Sequence, residues 1–196
     1  MSLSVEKCLQ AWTNSLRQMS VRADVVFFGD SLTYYGNFAS LFPNKVVCNL
    51  GLRGDTLKGM SDRVDQLRIL EPKKVFLMAG LNDVASCNVR EFGYLFDELV
   101  HMILNQAKGS DVIIQSLLPV NDKEFSISCG NSQIVACNKE IAAIADNYSL
   151  RYLDLFSCYE HNGILPKDLT IDGIHLRHES YSIWIDALKE ELLIGD

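Results

Sequence analysis

Four short polar segments of this chain carry residue types that together suit acyl transfer. Ser31 offers a hydroxyl nucleophile, His175 a base, and Asp172 a carboxylate that can orient the imidazole. The Gly51 backbone N–H and the Asn82 amide are candidate donors to an oxyanion. The sequence therefore predicts a hydrolytic site, provided that its segments meet in the fold. The segments are Gly29-Asp30-Ser31-Leu32, Asn49-Leu50-Gly51, Gly80-Leu81-Asn82-Asp83 and Asp172-Gly173-Ile174-His175.

Each of these residues is also typical of an ordinary structural role. Ser31 suits the N-cap of a helix, Gly51 suits a turn, and Asn82 suits a cap or a loop brace. Asp172 and His175, three residues apart, also suit a local bridge within a loop. No single segment decides between a catalytic and a structural role. The order of the surrounding helices and strands therefore has to decide between them.

Apolar runs alternate with helical patterns along the whole chain. Runs such as Val25-Val26-Phe27-Phe28 are apolar on both faces, which favours a parallel sheet covered by helices on both sides. We therefore predict an α/β fold, a three-layer α/β/α sandwich with a five-stranded parallel sheet in the flavodoxin-like order 2-1-3-4-5, and a single domain over residues 1–196. Strands are predicted at 23–28, 45–50, 74–79, 111–118 and 151–155, and helices at 3–19, 55–70, 91–108, 131–147 and 178–193.

This topology brings the candidate residues to one edge of the sheet. Ser31, Gly51 and Asn82 follow the first, second and third strands, which are neighbours in the predicted order. Asp172 and His175 lie after the fifth strand and are expected to open the C-terminal helix. Since ligands bind beyond the carboxyl ends of parallel strands, all five residues are expected at one rim.

The charge of the chain argues against two classes of partner. The formal net charge is −7 and the longest basic cluster is the pair Lys73-Lys74. Nucleic acids and anionic membrane surfaces are bound through clustered lysine and arginine, so neither is expected. No apolar run approaches the ~20 residues of a membrane span.

The cysteines show no CxxC pair and no spacing typical of a metal site. Reduced thiols are expected, which favours a cytoplasmic location; a periplasmic or secreted one stays open if a leader was removed. The six residues are Cys8, Cys48, Cys87, Cys129, Cys137 and Cys158.

The four segments resemble, in order, the motif blocks of the SGNH hydrolases, also called the GDSL esterase/lipase family. Residues 26–33 resemble block one, residues 49–56 block two, Gly80-Leu81-Asn82-Asp83 the GxND of block three, and Asp172-Gly173-Ile174-His175 the DxxH of block five. The second block, with Gly51-Leu52-Arg53-Gly54-Asp55-Thr56, is similar to that of the platelet-activating-factor acetylhydrolase-like branch and of carbohydrate acetylesterases.

This resemblance implies a serine hydrolase that uses neither a metal nor an organic cofactor. It implies a Ser31–His175–Asp172 triad and an oxyanion hole made by the backbones of Ser31 and Gly51 with the Asn82 side chain. The motif residues Asp30 and Asp83 are expected to support the site.

The expected reaction is hydrolysis of small, short-acyl esters through an acyl-enzyme, with acetylated carbohydrates among the candidate substrates. A lysophospholipase, a thioesterase or an acyltransferase with the same triad is an alternative, as is a non-catalytic flavodoxin-like binding module. Homo-oligomerisation stays open.

Three loops, at residues 33–43, 120–130 and 157–171, are expected to shape the pocket. Tyr34, Tyr35 and Phe38 suit an acyl pocket, a sugar-stacking surface or simple packing. Arg53 suits either contact with an anionic or hydroxyl-rich leaving group or a solvated position.

Overall fold

Five parallel strands form a sheet in the part of the chain that the computed structural model describes, residues 11–16, 18 and 22–194, with only the backbone described at 191–194. The strand order is β2-β1-β3-β4-β5, so the predicted architecture and order are confirmed. The strands are β1 Val25–Gly29, β2 Val47–Gly51, β3 Lys74–Met78, β4 Asp111–Gln115 and β5 Arg151–Leu153.

Helices connect these strands and cover the sheet. Residues 11–16 and 18 are helical, inside the predicted helix 3–19, whose other residues lie outside the described part. Short 3₁₀ turns occur at Ala39–Leu41, Lys167–Leu169 and His178–Ser180. The α-helices are α1 Ser31–Tyr35, α2 Leu57–Ser61, α3 Asp65–Leu70, α4 Val89–Gln106, α5 Asn131–Asn147, α6 Phe156–Tyr159 and α7 Tyr181–Ile194.

The core lies on both faces of the central strands. Phe27 and Phe76, on β1 and β3, are fully buried and stack with ring centroids 4.8 Å apart. Phe38 stacks on Phe27 at 4.1 Å and is 2% exposed. Burial of apolar residues on both faces supplies the main driving force for such a sheet. Phe38 therefore packs in the core instead of lining a pocket.

The predicted helix at 55–70 is two helices, because the chain turns inward between them. α2 ends at Ser61 and α3 begins at Asp65. Arg63, in the intervening turn, sends its guanidinium into the interior, where it donates to the backbone carbonyls of Gly29 and Leu50.

The end of the fourth strand and the start of the C-terminal helix also differ from the prediction. Strand β4 ends at Gln115 and not at 118, because the Asn138 side chain takes over both backbone hydrogen bonds of Leu117. Residues 172–175 do not open the C-terminal helix, which begins at Tyr181. They lie in a loop closed by a β-bridge between Thr170 and Leu176.

Among the described residues, no helix combines the length and the apolar character that a membrane crossing requires. The described cysteines carry free thiols, and Cys8 lies outside that part of the chain. The free cysteines are Cys48, Cys87, Cys129, Cys137 and Cys158.

Candidate active site

Ser31 stands at the turn from strand β1 into helix α1. The Asp30 carboxylate caps this helix by accepting the Leu32 N–H at 2.9 Å. Ser31 is 8% exposed. Its own N–H, at the first position of the helix, has no intrahelical acceptor and none elsewhere in the described chain. Ser31 therefore offers a hydroxyl and a free backbone donor at the same point.

His175 links the Ser31 hydroxyl to a carboxylate. Ser31 Oγ lies 3.0 Å from His175 Nε2, and His175 Nδ1 lies 2.7 Å from Asp172 Oδ2. The other carboxylate oxygen, Asp172 Oδ1, accepts the backbone N–H groups of Ile174 and His175 at 3.0 and 2.8 Å. Ser31 and His175 are 144 positions apart along the sequence. The structure thus joins three predicted residues in one continuous hydrogen-bonded chain.

The surroundings of Asp172 keep it charged. Partial burial raises the pKa of this carboxyl, but the hydrogen bonds from the His175 side chain, the His175 backbone and the Ile174 backbone outweigh burial, so the pKa lies below its ordinary value. A charged Asp172 is an acceptor for an Nδ1–H of His175, and the tautomer with its proton there presents Nε2 to Ser31 as an acceptor.

The Gly51 N–H does not face the site as an unengaged donor, and this part of the prediction needs correction. It donates to the Asn49 side-chain oxygen at 2.8 Å. A Cβ at Gly51 would lie 2.2 Å from the backbone nitrogen of Tyr34. The absence of a side chain at Gly51 therefore lets helix α1 pack directly against strand β2. This contact helps to position Ser31, the first residue of helix α1.

Gly54, which was not among the predicted site residues, presents an unengaged N–H in this segment. Its φ is +71°, in the left-handed region that favours glycine, and its N–H has no acceptor in the described part of the chain. The next residue, Asp55, uses its carbonyl to accept the Asn82 side-chain amide at 2.7 Å. Gly54 is therefore next in sequence to the residue whose carbonyl holds the Asn82 side chain.

Asn82 is exposed and its amide is oriented by one hydrogen bond. Nδ2 donates one N–H to the Asp55 carbonyl, which leaves the second N–H of the amide available. The neighbouring Asp83 carboxylate accepts the Leu57 N–H at 3.0 Å and so ties the Asn82 loop to the start of helix α2.

Two buried carboxyl groups flank these donors. Burial, with the charges of Asp55 and Asp83 adding to it, raises the pKa of Asp30 to about 6, against the opposing hydrogen bond from Leu32. Burial also raises the pKa of Asp83 to about 6, and the charge of Asp55 adds to that shift. Asp30 accepts the Leu32 backbone N–H and Asp83 accepts the Leu57 backbone N–H. Neither carboxyl is hydrogen-bonded to the side chain of Ser31 or His175 in the described structure.

Arg63 is a second residue that the sequence analysis missed. Its guanidinium donates to the carbonyl of Gly29 at 3.0 Å and to that of Leu50 at 2.9 Å, and its Nε pairs with Asp55. Gly29 lies at the carboxyl end of β1 and Leu50 one residue before the end of β2, so Arg63 holds together the strand ends beside which Ser31 and Gly54 lie. No local pattern indicates this role of Arg63, because an arginine in an amphipathic pattern is expected to face solvent.

A cavity of about 370 Å³ opens beside the His175 imidazole. The Tyr35 ring meets the imidazole edge to face, with centroids 5.9 Å apart. The Arg53 guanidinium lies 5.8 Å from the centroid of the same Tyr35 ring. The cavity is lined by Tyr35, Arg53, Ile171, Asp172, His175, Leu176, His178 and Tyr181.

Within the described part of the chain, no group of three or more histidine, cysteine, aspartate or glutamate side chains is placed to hold a metal ion. His178 lines the cavity, whereas His101 and His161 are not among its described lining residues.

Comparison with known proteins identifies the family to which this site belongs. Residues 27–183 match the model of the GDSL-like lipase/acylhydrolase family. This match spans most of the chain and covers all four motif segments completely. The chain belongs to this family and is a carboxylic ester hydrolase of the GDSL type.

Solved structures of similar proteins share the fold. A Streptococcus pneumonia protein named for platelet activating factor superposes with a TM-score of 0.79 at 24% identity, over 98% of this chain and 100% of that one. A GDSL-like lipase from Bacteroides thetaiotaomicron superposes with a TM-score of 0.78 at 21% identity, over 96% and 98% of the two chains. An acetyl xylan esterase superposes with a TM-score of 0.70 at 20% identity, over 85% and 98%. No curated protein matches the chain by sequence.

Proposed function

We propose that this esterase hydrolyses short-acyl esters with Ser31 as the nucleophile, His175 as the general base and Asp172 as the group that orients the imidazole. One observation carries the proposal, the continuous hydrogen-bonded chain from Ser31 Oγ through His175 to Asp172, with distances of 3.0 and 2.7 Å. A nucleophile bonded to a base that is itself oriented by a third group is the arrangement that activates serine.

The reaction proceeds in two steps with one proton carrier. Ser31 Oγ attacks the ester carbonyl carbon while His175 Nε2 takes the hydroxyl proton. The carbon–oxygen bond to the alcohol then breaks, and the alcohol leaves with that proton. A water molecule next attacks the acyl-enzyme with His175 as base, the acid is released, and Ser31 recovers its proton.

The oxyanion formed in each step requires donors on the far side of the carbonyl. We assign the Ser31 N–H, the second N–H of the Asn82 amide and the Gly54 N–H to this role, in place of the N–H predicted at Gly51. Support comes from hydrogen bonding, because the first and last of these N–H groups lack an acceptor in the described chain, whereas that of Gly51 is engaged by Asn49. Fixed donors of this kind stabilise developing charge without reorganisation.

The cavity beside His175 offers little apolar surface on which a long acyl chain could lie, which favours a short acyl group, acetyl above all. Ile171 and Leu176 are its only aliphatic members, and its remaining lining residues are aromatic, charged or imidazole-bearing. A long acyl chain needs a larger apolar surface to compensate for its transfer from water. The exposed rings of Tyr34 and Tyr35 suit stacking on a sugar, which agrees with the activity named for the acetyl xylan esterase of the same fold.

Hydrolysis of p-nitrophenyl esters from acetyl to palmitoyl tests this function, with Ser31→Ala and Ser61→Ala compared. The Ser61 hydroxyl donates to the Leu57 carbonyl of its own helix, so its removal controls for loss of a serine hydroxyl. We expect a maximum at acetyl, loss of the activity in Ser31→Ala, and labelling of Ser31 by a fluorophosphonate.

Other outcomes lead to the alternatives. Turnover retained by Ser31→Ala would disprove the assignment of the nucleophile. Rates that rise with chain length would indicate a lysophospholipase, and faster cleavage of acyl-thioesters or transfer to an added alcohol would indicate a thioesterase or an acyltransferase. A chain with neither turnover nor labelling would be a binding module.

A further inference from the structure

The cavity beside His175 contains a guanidinium without a carboxylate partner. Arg53 lies between strand β2 and helix α2 and is exposed. Within the described residues it forms no ion pair or hydrogen bond, and its guanidinium lies 5.8 Å from the centroid of the Tyr35 ring. This contrasts with Arg63, ten residues along, whose guanidinium is fully engaged in the interior.

No other charged group in the described lining of the cavity forms an ion pair with Arg53. Asp172 is the one carboxylate among the lining residues, and its two oxygens are taken by the His175 ring and by two backbone N–H groups. His178 contributes a second imidazole to the lining. In a chain whose formal net charge is −7, the mouth of this site therefore offers cationic and N–H donor groups.

Arg53 is also held close to the reacting groups. It immediately precedes Gly54, and the segment is pinned on both sides, since Leu52 N–H donates to the Gly29 carbonyl at 3.1 Å and Asp55 N–H donates to the Leu52 carbonyl at 3.2 Å. The guanidinium approaches the Tyr35 ring, and that ring contacts the His175 imidazole. A group bound to Arg53 would thus be separated from the proposed general base, His175, only by the ring of Tyr35.

We propose that Arg53, with Tyr35 beside it, forms a subsite for an anionic group on the alcohol part of the ester. The substrates are then acetate esters of acidic alcohols that carry a carboxylate or a phosphate. This proposal rests on the proposed function, because an acetyl group is too small to carry the charge itself. Guanidinium groups bind both anions through paired hydrogen bonds, and a neighbouring aromatic face suits a ring in the same molecule.

A pair of esters that differ in charge tests the subsite. The probes are 4-acetoxybenzoate and its neutral methyl ester, with 4-acetoxyphenyl phosphate as a third substrate that separates phosphate from carboxylate preference. The variants are Arg53→Gln and, as a matched loss of one positive charge, Arg68→Gln. Arg68 is exposed in helix α3 and lies with Pro72 and Lys73 near the amino end of strand β3, at the opposite edge of the sheet.

We expect Arg53→Gln to lower the ratio of kcat/KM for an anionic ester to that for the neutral ester roughly 3- to 10-fold, the range for a partly solvated charge pair. Intrinsic differences in leaving-group reactivity cancel, because both enzymes receive the same esters. Arg68→Gln should keep the native ratio. Added salt should reduce the anion preference of the native enzyme, since a solvent-exposed interaction is screened.

A binding measurement separates failure of the subsite from failure of the proposed function. Ser31→Ala should bind uncleaved 4-acetoxybenzoate more tightly than the methyl ester in NMR titrations, and Ser31→Ala with Arg53→Gln should lose this difference. An unchanged ratio and unchanged binding in the Arg53 variants would overturn the subsite and leave esterase activity intact. Arg53-dependent binding by a chain that hydrolyses neither ester would instead support the subsite and overturn the proposed function.

Discussion

Arg63 Nε donates to Asp55 Oδ2 at 2.7 Å, and both side chains are only 3% exposed. The guanidinium also lies over the Phe28 ring, 4.4 Å from its centroid. Because the same group donates to carbonyls at the ends of β1 and β2, the pair fixes the segment that contains Gly54 to the edge of the sheet beside Ser31. The geometry of the proposed oxyanion donors therefore depends on an ion pair that no substrate touches.

Asp55→Asn should lower the free energy of unfolding by roughly 3–5 kcal/mol, because it leaves a buried guanidinium without its counter-charge. Urea denaturation measures this change. Asp62→Asn is the matched control, since Asp62 pairs with Lys58 at the surface, where an ion pair contributes about 0–1 kcal/mol. Equal, small losses in the two variants would show that the buried pair does not hold the segment.

The strands and most of the proposed site residues could be predicted because their signals are local. Apolar runs mark the strands, and Ser31 and Asn82 come almost directly after two of them. Since parallel strands end at one edge, a sequence pattern was enough to place these side chains together.

Two other features depend on tertiary contacts instead. They are the role of Arg63 and the choice of Gly54 over Gly51 as the proposed oxyanion donor. An arginine in a helical pattern gives no sign that distant strand carbonyls will accept its hydrogen bonds. Gly51 and Gly54 lie in the same segment, and only the position of the Asn49 side chain shows that the first N–H is engaged and the second is not. The loop position of His175 likewise follows from a bridge between Thr170 and Leu176 that no local pattern indicates.

Asp172→Asn should reduce kcat on the order of 10³- to 10⁴-fold while leaving the loop folded. The asparagine oxygen can still accept the backbone N–H groups of Ile174 and His175, whereas its amide would donate to His175 Nδ1. That contact forces the proton onto Nε2, which then cannot accept from Ser31. Steady-state kinetics with p-nitrophenyl acetate, beside unfolding curves for both proteins, measure the change. A variant with native kcat would exclude Asp172 as the orienting group.

Asn82→Ala should lower kcat roughly 10²- to 10³-fold with a much smaller change in KM, because the amide is proposed to bind the oxyanion and not the ground-state ester. Asn105→Ala serves as the control, since Asn105 is an exposed residue of helix α4 whose side-chain amide contacts His101 of the same helix. Loss confined to KM would instead place Asn82 in ground-state binding.

Asp30→Asn should remove a pH-dependent decrease in the free energy of unfolding that the Asp30 carboxyl causes. Asp30 is 1% exposed, and burial raises its pKa to about 6, well above the value of about 3.9 in unfolded chains. Between about pH 4 and pH 6 the native state therefore holds a proton that the unfolded state has lost, so this residue makes stability fall as pH rises through that window. The asparagine stays neutral, and its side-chain oxygen can still accept the Leu32 N–H.

The stability of Asp30→Asn relative to the native protein should accordingly rise between about pH 4 and about pH 8, by an amount on the order of 3 kcal/mol. Urea unfolding at several pH values across this range measures the difference. Asp24→Asn is the contrasting case, because the hydrogen bonds that the Asp24 carboxylate accepts from Lys73 and from the Val46 backbone lower its pKa below the ordinary value. The native protein gains from this carboxylate only as pH rises toward about 4, so its stability difference from Asp24→Asn should stay constant between about pH 4 and about pH 8. A difference between native and Asp30→Asn that does not vary with pH would mean that Asp30 ionises in the folded protein as readily as in the unfolded chain.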